Sequence, residues 1–350
     1  MLNERFFSEK LMRWNIEANN RVMPWKGEKD PYKIWLSEVI LQQTRVEQGL
    51  KYYNAFIRAF PTVKSLATAS DDKIYKLWEG LGYYIRCKNL ISTARYVYQE
   101  LNGKFPPNYD GLLELKGVGG YTAAAIASFA YNEPRAVTDG NVYRVLARFF
   151  GIGSPIDNPA GKKIFSKLAN DILDKNNPAL HNQAIMDFGA IICKPRNPLC
   201  SNCPINNNCY AFKNDVVEEL PVKEKRMIRR KRWIYYLVIE YDRKLYTRKR
   251  TASDIWENLH DFVPIETRKE VKIPSLFKSR QFLKLFTTGS YEVLHVSSIF
   301  RQQLTHQDIA GQFISIKTQR PLKLENYMLL SQKELSQLAF PKFINTYLKD

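Results

Sequence analysis

The chain is short of cysteine, short of acid and without a long apolar run, and each shortage removes a class of protein. No stretch of about 18 apolar residues occurs, so no segment reads as a transmembrane helix, and Met1-Leu2-Asn3-Glu4-Arg5 lacks the basic and apolar regions of a signal peptide. A cytoplasmic protein without membrane attachment is the expectation. Of only five cysteines, four fall within the 17 residues from Cys193 to Cys209. A secreted disulfide framework would spread them along the chain. Acids number 35 against 53 Lys and Arg, a formal net charge of +18. The simplest physical use of that surplus is attraction to a polyanion with release of its counterions, and nucleic acid leads the candidates. A basic surface kept for solubility is the plainer alternative. No long amphipathic basic helix stands out, which argues against an anionic membrane. There is no internal repeat, no low-complexity tract, and almost no strand alternation in the first 210 residues, which read as all-α.

At 350 residues with 45% hydrophobic content, the chain can build two or three domains with real cores. A first helix is expected to end near Asn19-Asn20, followed by Pro24-Trp25 as loop and anchor. Asp30-Pro31 supplies an N-cap and a proline at the first helical position, opening a helix that runs to about Thr44. Within it Glu38 falls on a largely apolar face, where loss of water raises a carboxyl pKa toward neutrality. Such an acid is either structurally paired or a general acid. Further helices are expected around 46–60 and 74–78, then from Tyr83 to about Leu101 after the Gly80-Leu81-Gly82 break.

The most suggestive stretch runs from Leu115 to Asp139. Gly117, Gly119 and Gly120 can turn the chain tightly and let its backbone N–H groups approach a bulky group. The small-residue run after Tyr121 then begins a helix, whose free N–H donors and positive dipole end suit one phosphate. Many glycine turns are only packing points or helix caps. Asp139 precedes Gly140-Asn141 at a helix start, where N–H donors keep a carboxylate ionised; a plain N-cap is the alternative. Helices near 161–174 and 181–192 lead into Cys193, Cys200, Cys203 and Cys209, spaced C-x6-C-x2-C-x5-C. Four thiolates this close can bind one tetrahedral zinc or one cubane iron–sulfur cluster. The fifth cysteine, Cys87, reads as a buried or idle thiol.

After Asn214 the texture changes. A linker over residues 214–232 carries Lys223, Lys225, Arg226, Arg229, Arg230, Lys231 and Arg232 against the single acid Glu224. Strand-like runs at 233–240, 244–247 and 293–299 then predict an α+β domain over 233–350.

Several motifs in one order resemble the MutY-type adenine DNA glycosylases of the helix-hairpin-helix superfamily. They are Pro24-Trp25, the run from Trp35 to Thr44, Gly80-Leu81-Gly82-Tyr83-Tyr84, the hairpin Leu-Lys-Gly-Val-Gly-Gly-Tyr-Thr-Ala, the run from Val137 to Val142, and a cysteine spacing that matches the [4Fe–4S] loop of endonuclease III. The resemblance spans the chain. It implies an all-α helix-hairpin-helix glycosylase domain over residues 1–213, with a six-helix part about 25–132 and a cluster part formed by 1–24 with 133–213. A Nudix-like 8-oxoguanine-recognition domain follows over 233–350. It implies a monofunctional enzyme, acting as a monomer, that removes adenine mispaired with 8-oxoguanine or guanine in double-stranded DNA. Glu38 would be the general acid and Asp139 the stabiliser of the cationic sugar, oriented by Asn141. Arg21, Trp25 and Gln183 would line the adenine pocket, with Gln42, Gln43 and Tyr83 around the opposing base and the glycine hairpin on a phosphate. The four cysteines of the loop would hold a [4Fe–4S] cluster.

Tyr121 stands where bifunctional relatives carry a Schiff-base lysine, and a phenol cannot form that adduct. Ile255 to Pro264 matches a landmark of the second domain, but no acidic Nudix box is present. The family's Phe-Ser-His lesion-sensing segment is here Leu304-Thr305-His306, so the hydroxyl is kept and the aromatic ring is not. Two other readings compete: an endonuclease III-like lyase for oxidised pyrimidines, opposed by Tyr121 and the second domain, and a silent damaged-DNA binder, opposed by the presence of both Glu38 and Asp139.

Overall fold

Helix starts in the N-terminal two thirds sit where short polar side chains can cap them. Asp30 accepts the Tyr32 N–H at 2.9 Å ahead of helix Pro31–Leu41. Asn108 and Asn158 accept Gly111 N–H and Gly161 N–H, each at 2.8 Å, ahead of helices Tyr109–Leu113 and Pro159–Asp171. Each cap satisfies a donor that the first turn leaves without an internal partner. The computed structural model describes residues 2–224, 229–286 and 291–350. It forms two units, residues 1–67 with 92–226 and residues 68–91 with 227–350.

The first unit is helical, and among its described residues no strand occurs. Helices Leu2–Glu17, Gly140–Phe150 and Pro178–Ile191 share a core of Phe7, Leu11, Trp14, Val142, Leu146, Phe149 and Phe188. Trp14 meets Phe188 edge-on at 5.0 Å between ring centroids, an arrangement the aromatic quadrupoles favour. This packing fixes the two helices that later carry Asp139 and Gln183. The first helix ends at Glu17, two residues before the expected asparagine pair.

The second unit is α+β. Its strands are β1 Arg230–Tyr241, β2 Lys244–Lys249, β3 His260–Asp261, β4 Val263–Thr267, β5 Tyr291–Val296, β6 Phe300–Gln303, β7 Gln307–Thr318 and β8 Met328–Leu330. The sheet is mixed: β1 and β7 pair in parallel from Arg230↔Gln307 to Glu240↔Lys317, and the remaining pairs are antiparallel. Trp233, Tyr235, Leu237 and Ile239 alternate onto a face covered by Leu276 and Phe282. Tyr236 on the opposite face stacks on Phe313, so both faces of β1 are buried from Trp233 to Ile239, a stretch without a charged residue.

Residues 68–91, expected within the helical domain, group instead with the sheet. The polar bonds explain why: Asn258 Nδ2 donates to the Tyr75 hydroxyl at 3.1 Å, Phe340 N–H to Glu79 at 2.8 Å, and Lys88 pairs with Glu257 at 2.7 Å. Part of the expected basic linker is also structural. Arg230, Lys231 and Arg232 belong to β1, and Arg232 is buried between Glu266 at 2.8 Å and Asp254 at 3.0 Å. Lys225 and Arg226 lie outside the described residues. Among the described residues no helix is long and apolar enough to cross a membrane.

Candidate active site and iron-sulfur loop

A cavity of about 730 Å³ in the helical unit collects nine of the side chains singled out in the sequence: Arg21, Trp25, Glu38, Gln42, Gln43, Tyr121, Asp139, Asn141 and Gln183. Helix Pro31–Leu41 buries every residue from Ile34 to Ile40, so Glu38 is only 6% exposed. Loss of water pushes its carboxyl up to about 7; the neighbouring Asp139 charge adds to this, and a hydrogen bond from the Tyr121 hydroxyl opposes it. Burial with two carboxylates nearby drives the Tyr121 phenol well above its usual range, so it stays a neutral donor.

Asp139 sits on a different footing. It caps helix Gly140–Phe150 in extended conformation, and its carboxyl accepts Asn141 N–H at 2.9 Å, Val142 N–H at 2.8 Å and Asn141 Nδ2 at 2.8 Å. Loss of water raises its pKa, against the sequence expectation of a simple anion, while these donors and Arg144 pull it back. Glu38 has no such set of amide donors to offset its loss of water. Two carboxyl groups therefore face one cavity, both raised by burial, with amide donors opposing the rise only at Asp139.

Behind them stand residues the sequence reading missed. Arg144 donates to Asn141 Oδ1 at 2.8 Å, to Gly189 O at 2.7 Å and to Cys193 O at 2.7 Å, tying the Asp139 partner to the start of the cysteine loop. Gly189 packs so closely that an added Cβ would lie 2.6 Å from the Asn141 Cβ and 3.1 Å from its backbone. Gly189→Ala is expected to displace Asn141 and slow base removal by roughly 100-fold, since a misplacement near 1 Å can cost that much; single-turnover kinetics at saturating protein will show it, and an unchanged rate would mean that Asn141 does not set the geometry. Asp187, fully buried, holds Arg21 at 2.7 Å, Lys26 at 3.2 Å and Asn19 at 2.9 Å. It lies four residues after Gln183 on the same helix face, a spacing that could have revealed it.

The glycine hairpin stands apart from the cavity. Only Gly117 uses a positive φ, +76°; Gly119 is an extended N-cap with no side-chain cap, and Gly120 begins helix Gly120–Tyr131. All three are exposed, leaving the helix N-terminus open. Tyr83, Thr305 and His306 line a different cavity of about 520 Å³, within the second unit, where the Tyr83 and Thr305 hydroxyls are hydrogen-bonded. Gln43 and Tyr83 both hold left-handed backbone, φ 53° and 48°. Such strain concentrates at functional positions.

Residues 36–170 match the HhH-GPD superfamily of base excision DNA repair proteins, and residues 193–209 match the iron-sulfur binding domain of endonuclease III. An adenine DNA glycosylase of Buchnera aphidicola (subsp. Schizaphis graminum) is 35% identical over 303 residues, covering 84% of this chain and 86% of that protein. The chain belongs to the adenine DNA glycosylase family. The family extends to Homo sapiens, whose adenine DNA glycosylase is 39% identical over 223 residues, 61% of this chain and 41% of that one. Among solved structures, a thermostable thymine-DNA glycosylase superposes with a TM-score of 0.56 at 29% identity, over 61% of this chain and 98% of that one. A non-covalent endonuclease III–DNA complex gives 0.52 at 20% identity, over 60% and 95%. The helical unit thus has the helix-hairpin-helix glycosylase fold, and DNA is the partner of this family member.

Its cofactor is a [4Fe–4S] cluster, and the loop chemistry fits one. Burial, then mutual repulsion, pushes up the free thiols of Cys200 and Cys209, and burial takes Cys203 to about 12, so a cationic core is needed to hold them as thiolates. Arg148 supplies positive charge 3.5 Å from Cys193 Sγ. Cys87 is fully buried elsewhere.

Proposed function

We propose that this glycosylase hydrolyses the N-glycosidic bond of adenine opposite 8-oxoguanine or guanine in duplex DNA and leaves the strand intact. The observation that carries the reading is the pairing of Glu38, raised to about 7, with Asp139, held by three hydrogen bonds from Asn141 and Val142, in one cavity. The duplex is gripped at the exposed hairpin, adenine swings out of the stack, and Arg21, Trp25 and Gln183 receive it while Gln42, Gln43 and Tyr83 fill the gap. Protonated Glu38 gives its proton to a ring nitrogen of the departing base. The C1′–N bond breaks with its electron pair leaving on adenine, and Asp139 stabilises the cationic sugar. Water then adds to C1′, and the Glu38 carboxylate takes its proton, which restores the acid. Asn141 orients Asp139 throughout. Cys193, Cys200, Cys203 and Cys209 would hold the cluster, which when bound staples the loop; base hydrolysis itself transfers no electrons.

The lyase alternative needs a neutral amine, and the pocket does not favour one. Tyr121 stands at the position where a lyase has its lysine. Of the lysines on the cavity wall, Lys26 is paired with Asp187 and Lys29 donates to Phe129 O at 2.9 Å. The second unit is read as Nudix-like, with Thr305 and His306 contacting 8-oxoguanine beside Tyr83. The protein is taken to act as a monomer in the cytoplasm. Single-turnover assays on duplexes with adenine opposite 8-oxoguanine or guanine, worked up with and without alkali, test the whole reading. Adenine loss with breaks only after alkali is expected, faster opposite 8-oxoguanine; spontaneous breaks matching base loss would contradict it. In the Thr305→Ala, His306→Ala double variant the preference for 8-oxoguanine is expected to shrink by about tenfold, and an unchanged preference would remove these residues from lesion sensing.

A further inference from the structure

Arg21 and Trp25 reach the cavity of the helical unit from a segment that packing alone holds poorly. Residues 18–30 join helices Leu2–Glu17 and Pro31–Leu41 through turns, and every one of them is half-buried or exposed. Val22, in the middle, is almost wholly exposed. Trp25 meets Tyr53 edge-on at 5.2 Å between ring centroids. The far end is tied by polar bonds: Lys29 donates to Phe129 O at 2.9 Å, and Glu28 pairs with Lys33 at 3.0 Å. The end that carries Arg21 is tied to another helix by Asp187.

Both oxygens of this fully buried carboxylate are engaged. Oδ1 accepts from Arg21 Nη1 at 2.7 Å, and Oδ2 accepts from Asn19 Nδ2 at 2.9 Å and Lys26 Nζ at 3.2 Å. Its partners are tied to one another as well. Asn19 also donates to Asn15 Oδ1 at 2.7 Å and accepts the Arg21 N–H at 3.1 Å, while Lys26 donates to Arg21 O at 3.1 Å. Breaking a buried ion pair of this kind is costly, so the arrangement is stiff. Gln183 lies one turn before Asp187 on the same face of helix Pro178–Ile191, and both line the cavity. One carboxylate thus fixes the wall that carries Arg21 and Trp25 against the wall that carries Gln183. Asp139 is held by bonds from Asn141 and Val142 that do not involve it.

We propose that Asp187 is a positioning residue for base selection: it sets the spacing of the two walls, and with it the match to the adenine edge. The proposal rests on reading this cavity as the adenine pocket. Asp187 acts through its partners, since its oxygens are already taken by three donors. With the spacing fixed, a base stacked beside Trp25 presents its edge to the Gln183 amide, which can accept from the 6-amino group. With the spacing loose, that contact is lost while stacking remains, and stacking does not tell one purine from another. The effect therefore falls on the choice of base more than on the bond cleavage that all purines share.

The test is single-turnover excision by the full chain from duplexes carrying adenine, or unsubstituted purine without the 6-amino group, opposite 8-oxoguanine. The parent should remove adenine faster. Asp187→Asn is expected to narrow the ratio of the two rates by about tenfold. Asn19→Ala, which removes one donor at a half-buried position, should narrow it by a smaller factor and decides the matter if Asp187→Asn does not fold. A residue with only a structural role would lower both rates by one factor, and an unchanged ratio in both variants overturns the proposal. Gln183→Ala separates this failure from failure of the pocket reading. A ratio narrowed in Gln183→Ala but parental in the other two variants overturns the role of Asp187 alone. A parent without preference, or a parental ratio in all three variants, overturns the pocket reading with it.

Discussion

Asp139→Asn is expected to leave the fold in place and to slow adenine removal by roughly 1,000-fold or more, the scale on which charge-stabilising groups act. The two effects separate because asparagine caps a helix about as well as aspartate. Its side-chain oxygen can still accept Asn141 N–H and Val142 N–H, the bonds Asp139 makes at 2.9 and 2.8 Å. What disappears is the negative charge beside a cationic sugar. Thermal denaturation of the variant should therefore shift by no more than a few degrees, while single-turnover excision collapses. A large loss of stability with proportionate loss of activity would make Asp139 a cap and nothing more.

Glu38→Gln separates stability from chemistry in the opposite direction. The amide cannot donate a proton to the base, and excision is expected to fall by roughly 100- to 10,000-fold. Stability should rise near neutral pH. Burial raises the folded-state pKa of Glu38 from 4.5 to about 7, so the folded protein holds this proton over a range where the unfolded chain has released it. Stability therefore falls as pH climbs through that window, by up to about 3 kcal/mol in the limit. Glutamine carries no such dependence. The gain of the variant over the parent should be small below pH 4.5, grow between 4.5 and 7, and level off above. Denaturation midpoints at pH 5 and pH 8 measure it. Equal differences at the two values would mean that Glu38 is not desolvated as described.

Much of this site could be read from the chain because its parts announce themselves locally. Asp30-Pro31 fixes the helix that buries Glu38, Asp139-Gly140 fixes the next start, and four cysteines at one spacing define their own loop. What escaped is long-range. Asp187 meets Arg21 across more than 160 residues, and Arg144 reaches Gly189 and Cys193, pairings that no local period encodes. Periodicity also shows that residues 71–78 form a helix without showing which core it joins, and the bonds of Tyr75 and Glu79 draw it to the sheet unit. The basic run was misleading in the same way. Arg232 looked like part of a tether until Glu266 and Asp254, distant in sequence, came to meet it. In the hairpin one positive φ, at Gly117, suffices to turn the chain.

The division of labour between two carboxyl groups is tested most directly by the pH dependence of single-turnover adenine excision, in the parent and in Glu38→Gln. The account predicts a bell. The rate should fall above about pH 7 as Glu38 loses its proton, and fall in acid as Asp139 gains one. The alkaline limb should vanish in the glutamine variant while the acid limb remains. A parent rate that stays flat to pH 9, or an alkaline limb that survives in Glu38→Gln, would show that the proton reaches adenine from another group.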